Sequence, residues 1–140
     1  MEKLTAWDVV RGTWQVQHAI FAESQAELSE LGLTPKSLSV LGILEYLPRP
    51  TQIAESIGAP LPTISNLLKE LESAGYVTRN HAAPDRRQVQ YSRTELGDQM
   101  MWRGIGAVNR GASDRMSRLS EAEHAMLVQL LEKLNARILR

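Results

Sequence analysis

Between residues 79 and 93 the chain carries Arg79, Arg86, Arg87 and Arg93 against a single acid, Asp85. Within this strip, Asp85-Arg86-Arg87 sets a carboxylate two residues before an arginine. At the end of a hairpin, such an arginine suits the narrow minor groove of DNA, where negative potential is strongest. The carboxylate can hold the guanidinium in position rather than leave it mobile. The bland reading of the same residues is an exposed ion pair on a solvated hairpin, worth under about 1 kcal/mol. A second set lies upstream. Ile64, Leu67, Leu68 and Leu71 fall at i, i+3, i+4 and i+7, one buried helical stripe. That stripe turns Pro62, Ser65, Asn66 and Lys69 outward and leaves Thr63 in the first turn. Asn66 can pair bidentately with adenine and Ser65 can meet either base type, while Thr63 and Lys69 are better placed for phosphates. An ordinary amphipathic helix with a wet polar face has the same pattern, and this face carries only one lysine.

A third set is aromatic. Trp14, His18 and Phe21 recur at i, i+4 and i+7, and Met100, Met101 and Trp102 cluster later in the chain. An aromatic wall with one imidazole can receive a planar acid. Aromatic and methionine residues at helical spacing equally make plain core. Enzymatic chemistry finds no support. His18, His81 and His124 are far apart, without metal-ligand spacing. Gly104-Ile105-Gly106 lacks the third glycine of a dinucleotide loop and follows no strand. A glycine-flanked serine elbow and a phosphate loop are also missing. The absence of cysteine excludes a disulfide framework, a thiolate zinc site and a cysteine-based peroxide sensor. Neither a catalytic activity, a cofactor nor a metal is expected.

The elements that must position these residues follow from length and punctuation. A chain of 140 residues, 43% apolar and 23% charged, is one folded domain. Sixteen basic residues balance sixteen acidic ones, but unevenly: residues 1–48 are net −3, 49–93 net +2 and 94–140 net +1. A cationic strip on a neutral protein points modestly to a polyanion. The most apolar stretch, Val40 to Leu47, contains Glu45 and is far shorter than the roughly 20 residues that span a bilayer. Residues 1–5 lack the basic flank and apolar core of a secretory signal, so the expectation is a cytoplasmic protein with no membrane contact.

Trp7, Val10, Trp14, Phe21, Leu28 and Leu31 make the stripe of a long amphipathic helix ending near Gly32. Thr34-Pro35 caps and opens a helix through about Tyr46, broken by Pro48 and Pro50. Thr51 is expected to cap a two-turn helix closed by Gly58, and after Ala59-Pro60 a third helix runs to about Ala74, closed by Gly75. Residues 76–79 and 89–92 have strand composition, with a protruding tip between them. Thr94 caps a helix through about Met116, in which Gly97, Gly104, Gly106 and Gly111 imply close helix approach or bending. Ser120 and Glu123 have capping-box spacing and open a last helix. Met126, Leu127, Leu130, Leu131, Leu134 and Ile138 lie on one side of it, at a chain end where little of the protomer can cover them. The fold class is mainly α with a small β hairpin, a winged helix-turn-helix flanked by N- and C-terminal dimerisation helices. Residues 1–140 form a single domain, with 34–93 the winged module and 5–32 and 94–140 the helical dimerisation region.

These residues resemble a known family. Gln52-Ile53-Ala54-Glu55-Ser56-Ile57-Gly58, Pro62 to Glu72, Gly75-Tyr76-Val77-Thr78-Arg79, Asp85-Arg86-Arg87 and Thr94-Glu95-Leu96-Gly97 together look like the MarR family of bacterial transcriptional regulators. The resemblance implies a homodimer with interlocked terminal helices on double-stranded DNA with a pseudo-palindromic operator. Arg87 would be the minor-groove arginine, Asp85 its orienting partner, and Thr63, Ser65 and Asn66 the recognition-helix contacts. Lys69, Arg79 and Arg86 join them as DNA-binding candidates. Trp14, His18 and Phe21 are the candidates for a small aromatic or phenolic ligand that releases DNA. Leu61 and Pro60 depart from the family, which often has a polar or basic residue and a serine-like cap there; both changes weaken the phosphate grip at the helix start. The reading is a sequence-specific regulator, a repressor released by a ligand. The alternative is a winged-helix adaptor or antagonist that meets protein rather than DNA, favoured by the neutral charge and opposed by the Asp85-Arg86-Arg87 tip.

Overall fold

The computed structural model describes residues 2–80 and 89–136. Helix α1 spans Ala6–Glu30. Its N-terminus is closed by Thr5, whose backbone N–H donates to Asp8 Oδ2 at 2.7 Å. Its C-terminus turns at Gly32, in the left-handed region at φ 70°, so that Leu33 N–H reaches back to the Leu28 carbonyl at 2.9 Å. Helix α2, Pro35–Ile43, starts as the sequence implies: Thr34 Oγ1 accepts from Ser37 N–H and Ser37 Oγ accepts from Thr34 N–H. It stops about a turn short of the expected Tyr46. Proline 48 biases Leu47 away from helical backbone, and residues 44–46 close instead as a turn, with Tyr46 N–H on the Ile43 carbonyl at 3.0 Å.

Helix α3, Pro50–Ile57, also differs at its start. The cap is Arg49, not Thr51, because Pro50 is pre-organised for the first helical position and Gln52 Oε1 then accepts from Arg49 N–H at 3.2 Å. Gly58 closes the helix at φ 73°. Helix α4, Leu61–Ser73, follows, and the chain turns at Gly75 into β1, Val77–Asn80. Strand β2, Gln90–Arg93, pairs antiparallel with it, Val77 opposite Arg93 and Arg79 opposite Tyr91. Both strands lie one residue later than expected. Helices α5, Glu95–Met116, and α6, Glu121–Asn135, complete the order. The expected tip from His81 to Gln88 lies outside the described residues, as does Ile138.

The core gathers the inward faces of α1 to α5 and the wing. Leu28, Val40, Leu41, Ile53, Ile64 and Leu68 are fully buried, joined by Tyr91 and Met101. Glycines of α5 set its closeness to the rest. A Cβ on Gly97 would overlap the Tyr76 carbonyl, one on Gly104 would sit 2.8 Å from Leu38 Cδ1, and one on Gly111 would overlap Ser24 Oγ. Close helix approach is therefore what Gly104 and Gly111 serve; Gly106 meets only the Arg110 guanidinium of its own helix. Ion pairs from Arg110 to Glu27 at 2.7 Å and Arg115 to Glu23 at 3.6 Å flank the seam between α5 and α1.

The two ends are different. Of the α1 stripe, Leu28 is buried, but Trp7 is 61% and Trp14 66% exposed. Helix α6 has no buried residue, and Met126, Leu127, Leu130 and Leu134 stand open to solvent. Among the described residues, no helix is long and apolar enough to cross a membrane.

A pair of glycine substitutions checks the packing. Gly111→Ala should cost about 1–3 kcal/mol, because the Ser24 hydroxyl, held on the Ile20 carbonyl, stands in the way with the Ser24 backbone N 3.2 Å from the new Cβ. Gly42→Ala, with nothing within 4 Å of the new Cβ, should gain about 0.5–1 kcal/mol. Thermal unfolding followed by circular dichroism reads both; equal shifts would mean that α5 does not need the glycine. The α6 cap gives a pH test. Backbone and then side-chain hydrogen bonding to Ser120 hold the Glu123 carboxyl below its ordinary 4.5. A depressed folded pKa stabilises fully above the ordinary value and is lost as pH falls through the folded one. Helix α6 should therefore fray at its first turn only below about pH 4.5, and Glu123→Gln should flatten that response in amide hydrogen exchange. A Glu123 carboxyl titrating at or above its ordinary value would contradict the cap.

Candidate nucleic-acid interface

Helices α3 and α4 pack against each other, with Ile53, Ala54, Ile64 and Leu68 buried in the common core. This fixes which side of α4 faces out. Pro62, Asn66 and Lys69 are exposed and Thr63 and Ser65 half-buried, so the sequence-predicted contact residues share one accessible face. Pro60 offers no side-chain cap. Of the first turn, only the Leu61 and Thr63 N–H groups are left without a side-chain cap, since Pro62 has none, which makes this helix start a sparse anion site.

Arg79 projects from β1 beside this face, but not as a loose cation. Its Nη2 lies 3.2 Å from Glu72 Oε1 at the end of α4, and its guanidinium sits 5.8 Å from the Tyr91 ring centroid. Hydrogen bonding to Glu72 holds its pKa above the usual arginine value. Arg79 thus ties the wing to α4. Asp85, Arg86 and Arg87 lie outside the described residues.

Arg93, read in the sequence only as part of the cationic strip, is the residue that sequence reasoning missed. Its Nη1 donates to the Leu41 carbonyl at 2.7 Å, its Nε to Asp98 Oδ1 at 2.6 Å and its Nη2 to Glu45 Oε2 at 3.3 Å. Burial depresses its pKa, and the hydrogen bonds to Asp98 and Glu45 more than offset that, leaving it raised. Strand alternation carried the signal: Tyr91 is buried and Ser92 exposed, so Arg93 must point inward.

The aromatic candidates separate. Phe21 lines a cleft of about 330 Å³ with Thr34, Pro35, Lys36, Ser39 and Ile57. Trp14 and His18 stand exposed farther up α1. Among the described residues, no group of three or more His, Cys, Asp or Glu could hold a metal ion.

Helix-turn-helix, hairpin and long terminal helices define a winged helix-turn-helix protein. Residues 31–88 match the model of the MarR family. The fold of the chain is similar to three solved structures. A MarR family transcriptional regulator from Rhodococcus sp. RHA1 superposes at TM-score 0.80, with 18% identity over 95% of this chain and 97% of that one. The MarR family protein Rv2887 of Mycobacterium tuberculosis, in complex with salicylic acid, gives TM-score 0.72 and 23% identity over 96% and 98%. A mutant MarR from E. coli complexed with operator DNA gives TM-score 0.71 and 22% identity over 92% and 94%.

Proposed function

We propose that this chain is a sequence-specific DNA-binding transcriptional regulator, acting in the cytoplasm as a homodimeric repressor that a small aromatic or phenolic ligand releases. The observation that carries the reading is the accessible face of α4, with Asn66 and Lys69 open and Thr63 and Ser65 beside them, on a MarR family module. Similar folds were solved with operator DNA and with salicylic acid, which supports both halves of the proposal.

In this mechanism α4 enters the major groove and reads bases through Asn66 and Ser65. Thr63 and Lys69 hold phosphates, and the wing brings Arg79, Arg86 and Arg87 to the backbone and minor groove, with Asp85 orienting Arg87. A second copy covers the open faces of α1 and α6 and sets the two recognition helices about 34 Å apart, one turn of DNA. The cleft at Phe21 lies between α1 and the winged module, with Lys36 available to a carboxylate. A planar acid there, with Trp14 and His18 farther along α1, changes operator affinity by its differential binding to the two helix spacings. No step needs a catalytic group.

The adaptor reading keeps one observation in its favour: Glu72 already neutralises Arg79. A salt series separates the two. Fluorescence anisotropy against a duplex chosen by the protein from a random-sequence library should show affinity falling steeply as salt rises, through counterion release. Asn66→Ala and Arg87→Ala should each cost about 1–3 kcal/mol, and Lys69→Ala should reduce the salt slope by about 1. A flat salt series, or no duplex chosen, would leave the adaptor.

A further inference from the structure

The wing is a hairpin of two four-residue strands. Two-stranded hairpins are marginal on their own in water, so the direction in which this one projects must be set at its root. The side chain of Arg93 occupies that root and is only 13% exposed. Its donors reach three separate places: the Leu41 carbonyl in the last turn of α2, Glu45 in the turn beyond it, and Asp98 in the first turn of α5. Helix α2 ends at Ile43, so the Leu41 carbonyl is one of the orphan acceptors of a helix C-terminus. A cation is favoured there by the helix dipole as well. The fork geometry of a guanidinium lets one side chain serve all three acceptors, which an ammonium on a flexible stem does not reproduce. A second tie runs parallel to it, from Tyr91 N–H to the Pro48 carbonyl at 2.8 Å. A cavity of about 400 Å³ opens beside these contacts, lined by Glu45, Pro48, Gln90, Arg93 and Asp98 among others. Packing alone therefore does not fix the wing on this side.

We propose that Arg93 is the positioning residue of the wing: it clamps β2 to α2 and α5 and so sets where the wing tip meets DNA, without touching DNA itself. The inference rests on the DNA-binding reading above. Because α5 runs on towards the α6 end of the molecule, the same clamp joins the wing to the helices assigned to dimerisation, and a change in α5 passes directly to the wing.

The test is a double-mutant cycle on the full chain, with Arg93→Met, Arg87→Ala and the double variant titrated against the duplex the wild-type protein selects. Arg93→Met keeps the apolar stem and removes the fork. If Arg93 acts through the wing, it alone weakens binding by about tenfold, the scale of one lost base or groove contact. The double variant then loses little beyond either single one, since a displaced wing no longer delivers Arg87. Hydroxyl-radical protection at the minor groove should disappear while major-groove methylation interference persists. A merely structural arginine would lower the melting temperature but leave the groove pattern intact and the two losses additive, which would overturn the proposal. Should Arg93→Met fail to fold, Asp98→Asn in the same cycle reads the α5 arm of the clamp, with the same pattern expected and additivity again against it. If the wild-type protein selects no duplex, the DNA reading falls and this inference with it. Tight wild-type binding that survives Arg93→Met unchanged overturns the inference alone.

Discussion

Helix α5 approaches three other parts of the molecule so closely that a Cβ at each contact point would press on a neighbouring residue. Gly97 lies against the Tyr76 carbonyl, Gly104 against Leu38 and Leu33, and Gly111 against Ser24 of α1. One rod thereby fixes the wing root, the start of the helix-turn-helix and the long first helix relative to one another. Close-packed interiors do not deform continuously, so a shift of α5 cannot be absorbed at one contact without moving another. Thr94 reinforces the first contact, accepting from Gly97 N–H and donating to the Gly75 carbonyl at 2.6 Å. Tyr76 completes it by donating to the Leu31 carbonyl at 2.7 Å, so the end of α1 is pinned to the turn that leaves α4.

This rigidity stops at the two chain ends. The winged module closes its own core, whereas α6 and the first half of α1 present tryptophans and leucines to water. Open apolar surface of that extent marks a docking face, and a second copy is the occupant the proposed function assigns. The arrangement then has a mechanical logic. A cleft at Phe21 lies where α1 meets the winged module, and an occupant that favours one angle between them favours one spacing of the two recognition helices. In the proposed function, ligand and DNA would thus compete through geometry rather than through a shared surface.

The order of elements was legible because local rules left little choice. Thr34-Pro35, Gly58, Gly75, Thr94 and the Ser120–Glu123 pair mark their helix ends, and the α4 stripe shows its inward face through Ile64, Leu68 and Leu71. Errors came where two local signals competed. Pro50 at a first helical position outweighed Thr51 as a cap, and Pro48 shortened α2. The wing ties were illegible for a different reason. Arg93 meets Leu41 across 52 positions of sequence and Arg79 meets Glu72 only once the turn at Gly75 has folded back, so a strip of four arginines read as one surface divides into separate duties. The open stretch of α1 holding Trp14 was visible as apolar periodicity, but periodicity cannot say whether the chain itself or another copy covers it.

Zero net charge on the whole chain hides an uneven distribution, because the first 48 residues hold only three cations against six acids and residues 79–93 hold four arginines against one acid. The central claim is that two copies of this chain act together on one duplex. Light scattering on a sizing column, with the protein alone and then with the duplex it selects, measures this directly. The account predicts about twice the 15.7 kDa chain mass for the free protein, and two chains on each duplex. A stable single chain in solution, or a complex of one chain per duplex, would contradict it.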